Sequence, residues 1–518
     1  MPFHHHNLGD LIVRRGDLQR DALIDLGDPA RPRHWSHRQI DELAGGVARY
    51  LSDLGLPRGS TVAIASLNSA QYIAAYFGIM RAGLVAVPLN IKVPIETLEY
   101  LVADAQIRLA FVDEARYALL KGKLPLVNFD GDGEDAFRRR IKPQAFDTVQ
   151  PLPGEVAMIL YTSGSTGRPK GVPLTHQGQL WALEATRSGG VEPDAPQARY
   201  LLAQPLFHMN GLFLTKRVFA VNGLLVVLPA FDAQRYAAAL ADYRINIVTA
   251  VPTMFARLLR DPRLLAGRDY SALNRLMLGS APMSLSLLNR IQQAFPTATI
   301  THGYGTTEAG PAVFGPHPDG LPTPPLALGY PLAAGEVKLV DGETENDGVL
   351  CMRNPAVTPG YLGLPEKSSQ VFRGGWYYSG DVMRRDEQGF YYFTGRADDM
   401  FVCSGENIFP VEVEKTLESH PHVRQVCVVP LPDEERSQVP VAFVVLQPDS
   451  ALSPDALKQY ALAHGPAYQH PRRIAFLAEL PWAGTNKVDR HALTQLARLL
   501  EARQGWDNPL AATEPDHA

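Results

Sequence analysis

The chain has 518 residues, too many for one hydrophobic core, so at least two domains are expected. Hydrophobic residues make up 46% and charged residues 20%, the balance of a globular protein. The net charge of -5 and a pI of about 6.3 give no basic footprint for nucleic acid.

The N-terminus, with His4, His5 and His6, lacks a basic segment followed by an apolar run. It reads as a loose or tag-like end, not a secretory leader. Residues 62–67 read as a buried strand, 69–82 as a helix, and 84–88 and 109–113 as further strands. The alternation continues through a short apolar run at 224–229, a strand at 245–250 and a helix at 252–259. A strand at 276–279 and a helix at 284–295 follow. This order predicts an α/β domain with a largely parallel sheet. After about residue 329 the segments become short and β-rich, at 337–340, 349–353, 383–384 and 391–393, with a hairpin loop at 385–389. Glycine and charge at 395–399 mark a hinge. Beyond it a compact α+β pattern has helices at 411–419 and 454–464, strands at 426–430 and 441–446, and a last helix from Arg490. The expected organisation is a large N-terminal domain, 1–397, and a small mobile C-terminal domain, 398–518. No window approaches the roughly 20 apolar residues of a membrane-spanning helix. Cys351, Cys403 and Cys427 form no CxxC pair and suit reduced thiols in a cytoplasmic protein.

The strongest chemical signal follows the apolar run at 156–160. Thr162, Ser163, Gly164, Ser165, Thr166, Gly167, Arg168, Pro169, Lys170 and Gly171 combine glycines, hydroxyls and positive charge. Glycines let backbone approach a ligand closely, and hydroxyls and amides donate to phosphate oxygens. The segment is not a Walker loop, because no Gly-Lys-Ser/Thr closes it.

This segment resembles the signature loop of adenylate-forming enzymes: acyl-CoA synthetases, adenylation domains of peptide synthetases, and luciferases. Further matches fall in that family's order. They are Gly279-Ser280-Ala281-Pro282, Gly303 with Tyr304-Gly305-Thr306-Thr307-Glu308, and the run from Trp376 to Asp381. Gly395 to Asp399, Ser404 to Ile408, and Pro481 to Arg490 complete the set. The resemblance implies ATP, Mg²⁺ and coenzyme A. Tyr304 offers a ring for adenine, Thr307 a hydroxyl for the α-phosphate, and Glu308 a carboxylate for Mg²⁺. Asp381 and Arg396 are placed at the ribose. Lys487 is the cation for the charge that develops as the acid attacks the α-phosphate. Asn486 precedes it where the family usually has glycine, and asparagine tolerates the left-handed backbone better than most residues.

By the same resemblance Asp398 is the hinge residue, and Gly405 and Glu406 line the pantetheine tunnel after the small domain rotates. His208 looks onto the acyl carboxylate, although a histidine in an apolar segment is also a common core residue. Amino-acid-activating members have Phe-Asp where this chain has Phe207-His208, which disfavours an α-amino acid. The acyl pocket is expected to include His208, Val251, Gly303, Ala309 and Phe314, a lining suited to an uncharged aromatic or aliphatic tail. The leading expectation is an acyl-CoA synthetase. The alternatives are a stand-alone module that loads a separate carrier protein, and an adenylate-binding protein without catalysis. No carrier attachment site is recognised before the chain ends.

Overall fold

The computed structural model describes residues 5–14, 16–162, 168–188, 197–311, 313–448, 450–482 and 488–506. Two largely parallel sheets form the first part of the chain. One is six-stranded, in the order Leu126–Asn128, Leu109–Val112, Thr61–Ala65, Val85–Pro88, Val156–Thr162, Lys170–Thr175. The other is seven-stranded, in the order Thr299–Gly303, Arg275–Gly279, Ile247–Ala250, Arg199–Leu202, Leu224–Val227, Asp21–Asp25, Arg33–Ser36. In each, one edge strand is antiparallel and the rest run parallel. Their central strands are continuous apolar runs because helices cover both faces. Val62, Ala63, Ile64 and Ala65 are all fully buried.

The expected helix at 69–82 forms as Ala70–Arg81, with the Ser69 hydroxyl accepting from the Tyr72 amide at its N-terminus. The expected helix at 252–259 forms as Pro252–Leu258, where proline at the first turn loses no internal hydrogen bond. The strand pair Asp21–Asp25 and Arg33–Ser36 and the helix His37–Asp53 fall where no element was expected. A capping box between Ser36 and Gln39 starts that helix.

A third sheet is antiparallel. It pairs Glu336–Val340, Asp347–Arg353, Trp376–Arg385 and Tyr391–Arg396, with the two-residue strand Phe372–Arg373 at the far edge. The expected hairpin around 385–389 is therefore much longer than its apolar residues suggest. Along Trp376–Arg385 alternate residues are buried, so Tyr377, Ser379, Asp381 and Met383 share one face.

Beyond Arg396 a separate sheet has its own core. Val423–Asp433 and Ser437–Leu446 form a long hairpin, extended by Phe401–Cys403, Glu406–Ile408 and Arg473–Phe476. Helices Pro410–Glu418, Pro454–His464 and Arg490–Ala502 accompany it. The architecture is thus a large α/β N-terminal part and a small α+β C-terminal part. Lys415 ties them by donating to the Phe393 carbonyl at 3.0 Å. Among the described residues, no helix is long and apolar enough to cross a membrane.

Candidate active site

The site begins at two neighbouring strand ends. Gly279 and Gly303 are register partners in the seven-stranded sheet, and a Cβ on Gly279 would lie 2.7 Å from the Gly303 carbonyl oxygen. Only glycine permits that approach. Ser280 follows with φ of 64°, turning the chain away from the strand. The His302 ring bridges the two segments, with Nε2 3.4 Å from the Ala281 carbonyl and Nδ1 3.4 Å from the Leu326 carbonyl. Burial lowers its pKa, and the two carbonyl contacts oppose that. Pro282 continues the same loop.

Residues 304–310 form a tight turn. The Thr306 amide donates to the Gly310 carbonyl at 3.0 Å, and the Thr306 hydroxyl accepts from the Ala309 amide at 3.0 Å. A Cβ on Gly305 would sit 2.4 Å from the Pro311 carbonyl carbon, so this position also requires glycine. The turn sends Tyr304 toward the antiparallel sheet, where its hydroxyl donates to Asp381 Oδ2. Arg396 Nη1 meets Asp381 Oδ1 at 2.8 Å and also donates to the Ser379 carbonyl at 3.0 Å. Asp381 and Arg396 are register partners on adjacent strands, which is why the pair forms. Each Asp381 oxygen retains a lone pair for a further donor, such as a sugar hydroxyl. Asp398 lies 3.4 Å from Arg396 Nη2 and is largely exposed.

Glu308 is buried, close enough to Arg396 to feel its charge. Tyr361 Oη donates to its Oε1 at 3.1 Å. Burial raises the Glu308 pKa, and the Tyr361 hydroxyl, Lys170 and Arg396 oppose that rise. Lys170 sits opposite Thr162 in a β-hairpin, and its ammonium lies 4.3 Å from the centre of the Tyr361 ring. Burial lowers its pKa, with Glu308 acting in the other direction. The Thr162 hydroxyl is buried and has no hydrogen-bond partner among the described residues, an unsatisfied group at the start of the glycine- and hydroxyl-rich segment. Thr307 is half-buried between Thr306 and Glu308.

No three His, Cys, Asp or Glu side chains among the described residues gather as a metal cage. A single buried carboxylate suits Mg²⁺, which takes one or two carboxylates together with substrate phosphates. The donor set around Glu308 therefore fits the expected metal.

The remaining expected residues divide. His208 is half-buried at the start of the helix Met209–Ala220, with its ring edge-on to Phe207 at 4.7 Å. Val251 immediately precedes Pro252–Leu258 and is half-buried. Ala309 and Phe314 are both buried. Ala309 is fully buried, and the Phe314 ring is enclosed in the core between Tyr304 and Tyr391, at 5.9 and 5.0 Å. Gly405 and Glu406 lie at the exposed tip of the hairpin Phe401–Cys403 and Glu406–Ile408. Gly405 has φ of 87° and open space around it. Ser163, Gly164, Ser165, Thr166, Gly167, Asn486 and Lys487 lie outside the described residues. The ends of the lysine segment are joined by a bridge between Trp482 and Val488 and by the Asp489 amide donating to the Pro481 carbonyl at 2.9 Å.

Sequence reasoning missed Tyr361 and His302. The first stands between glycines in a turn with no charge or repeat to mark it. The second directly precedes the Gly303–Tyr304 motif, and that adjacency was the available signal.

Residues 13–362 match the family model described as AMP-binding enzyme, and residues 412–487 match its C-terminal domain. The chain belongs to the AMP-binding enzyme family. It is a member of the adenylate-forming superfamily and an AMP-forming ligase. It is 32% identical over 497 residues to a feruloyl-CoA synthase of Amycolatopsis sp, covering 93% of this chain and 98% of the relative. It is 30% identical over 516 residues to the fatty acid–[acyl-carrier-protein] ligase ScoC of Streptomyces coeruleorubidus, covering 95% and 97%. The crystal structure of the anthranilate CoA ligase AuaEII with anthranoyl-AMP superposes with a TM-score of 0.86 at 28% identity, covering 97% and 99%.

Proposed function

We propose that this AMP-binding enzyme is an acyl-CoA synthetase. It converts a carboxylic acid, ATP and coenzyme A to acyl-CoA, AMP and pyrophosphate through an acyl-adenylate. The observation that carries the reading is the Tyr304–Asp381–Arg396 cluster, whose guanidinium also acts electrostatically on Glu308 and Lys170, the pair that meets at Tyr361. One end offers an aromatic face and a ribose acceptor, and the other a carboxylate and a cation for phosphates.

In this reading adenine lies against Tyr304, beside Gly279, Ser280, Ala281, Pro282 and Gly303. The ribose hydroxyls donate to Asp381. Thr162, Lys170 and the loop 163–167 hold the β- and γ-phosphates. Glu308 would hold Mg²⁺, which when bound neutralises phosphate charge and polarises the phosphoryl oxygens. Thr307 donates to the α-phosphate, and Lys487 stabilises the charge that builds there as the carboxylate attacks. His208 walls the acyl carboxylate. The expected apolar lining suits an uncharged aromatic or aliphatic tail, and His208, in place of the aspartate that would meet an ammonium, disfavours an α-amino acid.

The second half-reaction needs a thiol. We assign the boundary between the domains to 397–398, with Asp398 as hinge, so that rotation exchanges Lys487 for Gly405 and Glu406. A small cavity beside Phe207 supports coenzyme A as acceptor. Lys92 and Arg257 face it, with Arg257 stacked on Phe231 at 5.2 Å. Burial lowers the Lys92 pKa and Arg257 adds to that effect, and a bound phosphate would offset both. The likeness to the carrier-protein ligase favours a second reading, in which the acceptor is a phosphopantetheinyl carrier protein. The three buried, unpaired cysteines suit a reducing cytoplasm.

The test is to incubate the enzyme with ATP, Mg²⁺ and a panel of aryl and fatty acids, with free coenzyme A or a holo carrier protein. Acyl-CoA is the expected product. Acyl-carrier without acyl-CoA would favour the second reading, and no adenylate from any acid would contradict both.

A further inference from the structure

One short stretch of chain, 358–362, joins two parts of the site that are distant in sequence. The Thr358 amide donates to the Glu308 carbonyl at 2.7 Å. The Thr358 hydroxyl donates to the Pro173 carbonyl at 2.6 Å, and the Leu362 amide donates to the Gly171 carbonyl at 2.9 Å. The stretch is thus bonded both to the turn that carries Glu308 and to the strand Lys170–Thr175 that leaves the phosphate loop. Gly171 keeps the two close, since a Cβ there would sit 3.1 Å from Leu362 Cβ.

Tyr361 is the side chain that uses this junction. Its hydroxyl donates to Glu308 Oε1 at 3.1 Å, and its ring face takes the Lys170 ammonium at 4.3 Å. The ring has little room to turn away. Tyr361 is 8% exposed, its amide donates to Ser368 Oγ at 2.9 Å, and Phe372 packs against it at 5.5 Å.

We infer that Tyr361 is a positioning residue that sets the Glu308 carboxylate and the Lys170 ammonium relative to one another. In doing so it fixes where a metal-bound triphosphate sits. The inference rests on the adenylation reading. A lysine on a four-carbon stem has many rotamers, and ordering it costs entropy at the moment of binding. The aromatic face removes part of that cost in advance, and it leaves the ammonium charged for phosphate. The hydroxyl meanwhile orients a carboxylate that keeps lone pairs for a cation. Tyrosine is suited to both tasks because it carries a π face and a donor on one rigid ring.

The two contacts separate cleanly by substitution. Tyr361→Phe keeps the ring under Lys170 and removes the bond to Glu308, and Tyr361→Leu removes both. The measurements are ATP and AMP affinity by calorimetry, and Mn²⁺ binding to the ATP complex by electron paramagnetic resonance. Tyr361→Phe is expected to weaken Mn²⁺ binding about tenfold, the scale of one hydrogen bond to a charged group, with ATP affinity in metal-free buffer unchanged. Tyr361→Leu is expected to weaken metal-free ATP about threefold while AMP binds normally, because AMP lacks the phosphates that Lys170 serves. Wild-type Mn²⁺ affinity in the Phe variant would overturn the inference, as would equal loss of ATP and AMP in the Leu variant. The Phe variant nearly conserves volume and carries the test alone if the Leu variant does not fold. Wild-type protein that binds no ATP would contradict the adenylation reading itself, which is a different failure.

Discussion

Asp381 and Arg396 stand opposite each other on adjacent antiparallel strands, with the guanidinium 2.8 Å from the carboxylate and the Tyr304 hydroxyl on the other carboxylate oxygen. The sheet register pairs the aspartate with the arginine, and the turn at Gly305 brings in the tyrosine. In the proposed reading this carboxylate is the acceptor for the two hydroxyls of a ribose.

Replacing Asp381 by Asn keeps the shape of the site and removes the charge. The ribose is common to ATP and AMP, so both are expected to bind about tenfold more weakly, as for one lost charged hydrogen bond. Calorimetric titration of each nucleotide checks this. Loss confined to ATP would place Asp381 with the phosphates instead.

Lys487→Ala is expected to abolish adenylate formation and to spare thioester formation from a supplied acyl-adenylate. Single-turnover assays of the two half-reactions measure this directly. Equal loss of both steps would refute a lysine that serves only the first.

Arg257→Glu, in the cavity beside Phe207, is expected to raise KM for coenzyme A about tenfold or more and to leave pyrophosphate release unchanged. Pantetheine, which carries no phosphate, should react equally well with both proteins. An unchanged KM for coenzyme A would remove this cavity from the acceptor's path.

Stability should fall on mild acidification. His176 and His37 are buried, and desolvation is the main cause that lowers each to about 4 from an unfolded value of 6.5. The unfolded chain therefore binds more protons between those values, so stability is full above about pH 6.5 and declines as pH falls toward 4. Melting temperatures across this range test the sign. His176→Asn keeps an acceptor for the Leu8 amide, which the ring now receives at 3.1 Å, and should flatten the curve.

The legible parts of this fold are those set by local patterning. The helix Ala70–Arg81 announces itself by its serine cap and apolar spacing, and the strand Thr61–Ala65 by its unbroken apolar run. The division of the strands between two sheets was not legible, because buried parallel strands read alike whichever sheet they join. The helix His37–Asp53 was missed despite its capping box, since two glycines interrupt its apolar face. At the site, Tyr304, Glu308, Asp381 and Arg396 were each legible from motif context. Their mutual bonds were not, because those depend on strand register and on the turn at Gly305. The burial of Ala309 and Phe314 depends on the same turn. Tyr361 carried no local mark at all, and only the packing of 358–362 between Glu308 and Gly171 reveals it.

The central claim is adenylate formation on this site, and isotope exchange between pyrophosphate and ATP tests it most directly. The account predicts exchange that requires a carboxylic acid, needs no thiol, and is lost in Lys487→Ala. Acid-dependent release of ADP and phosphate without pyrophosphate exchange would contradict it.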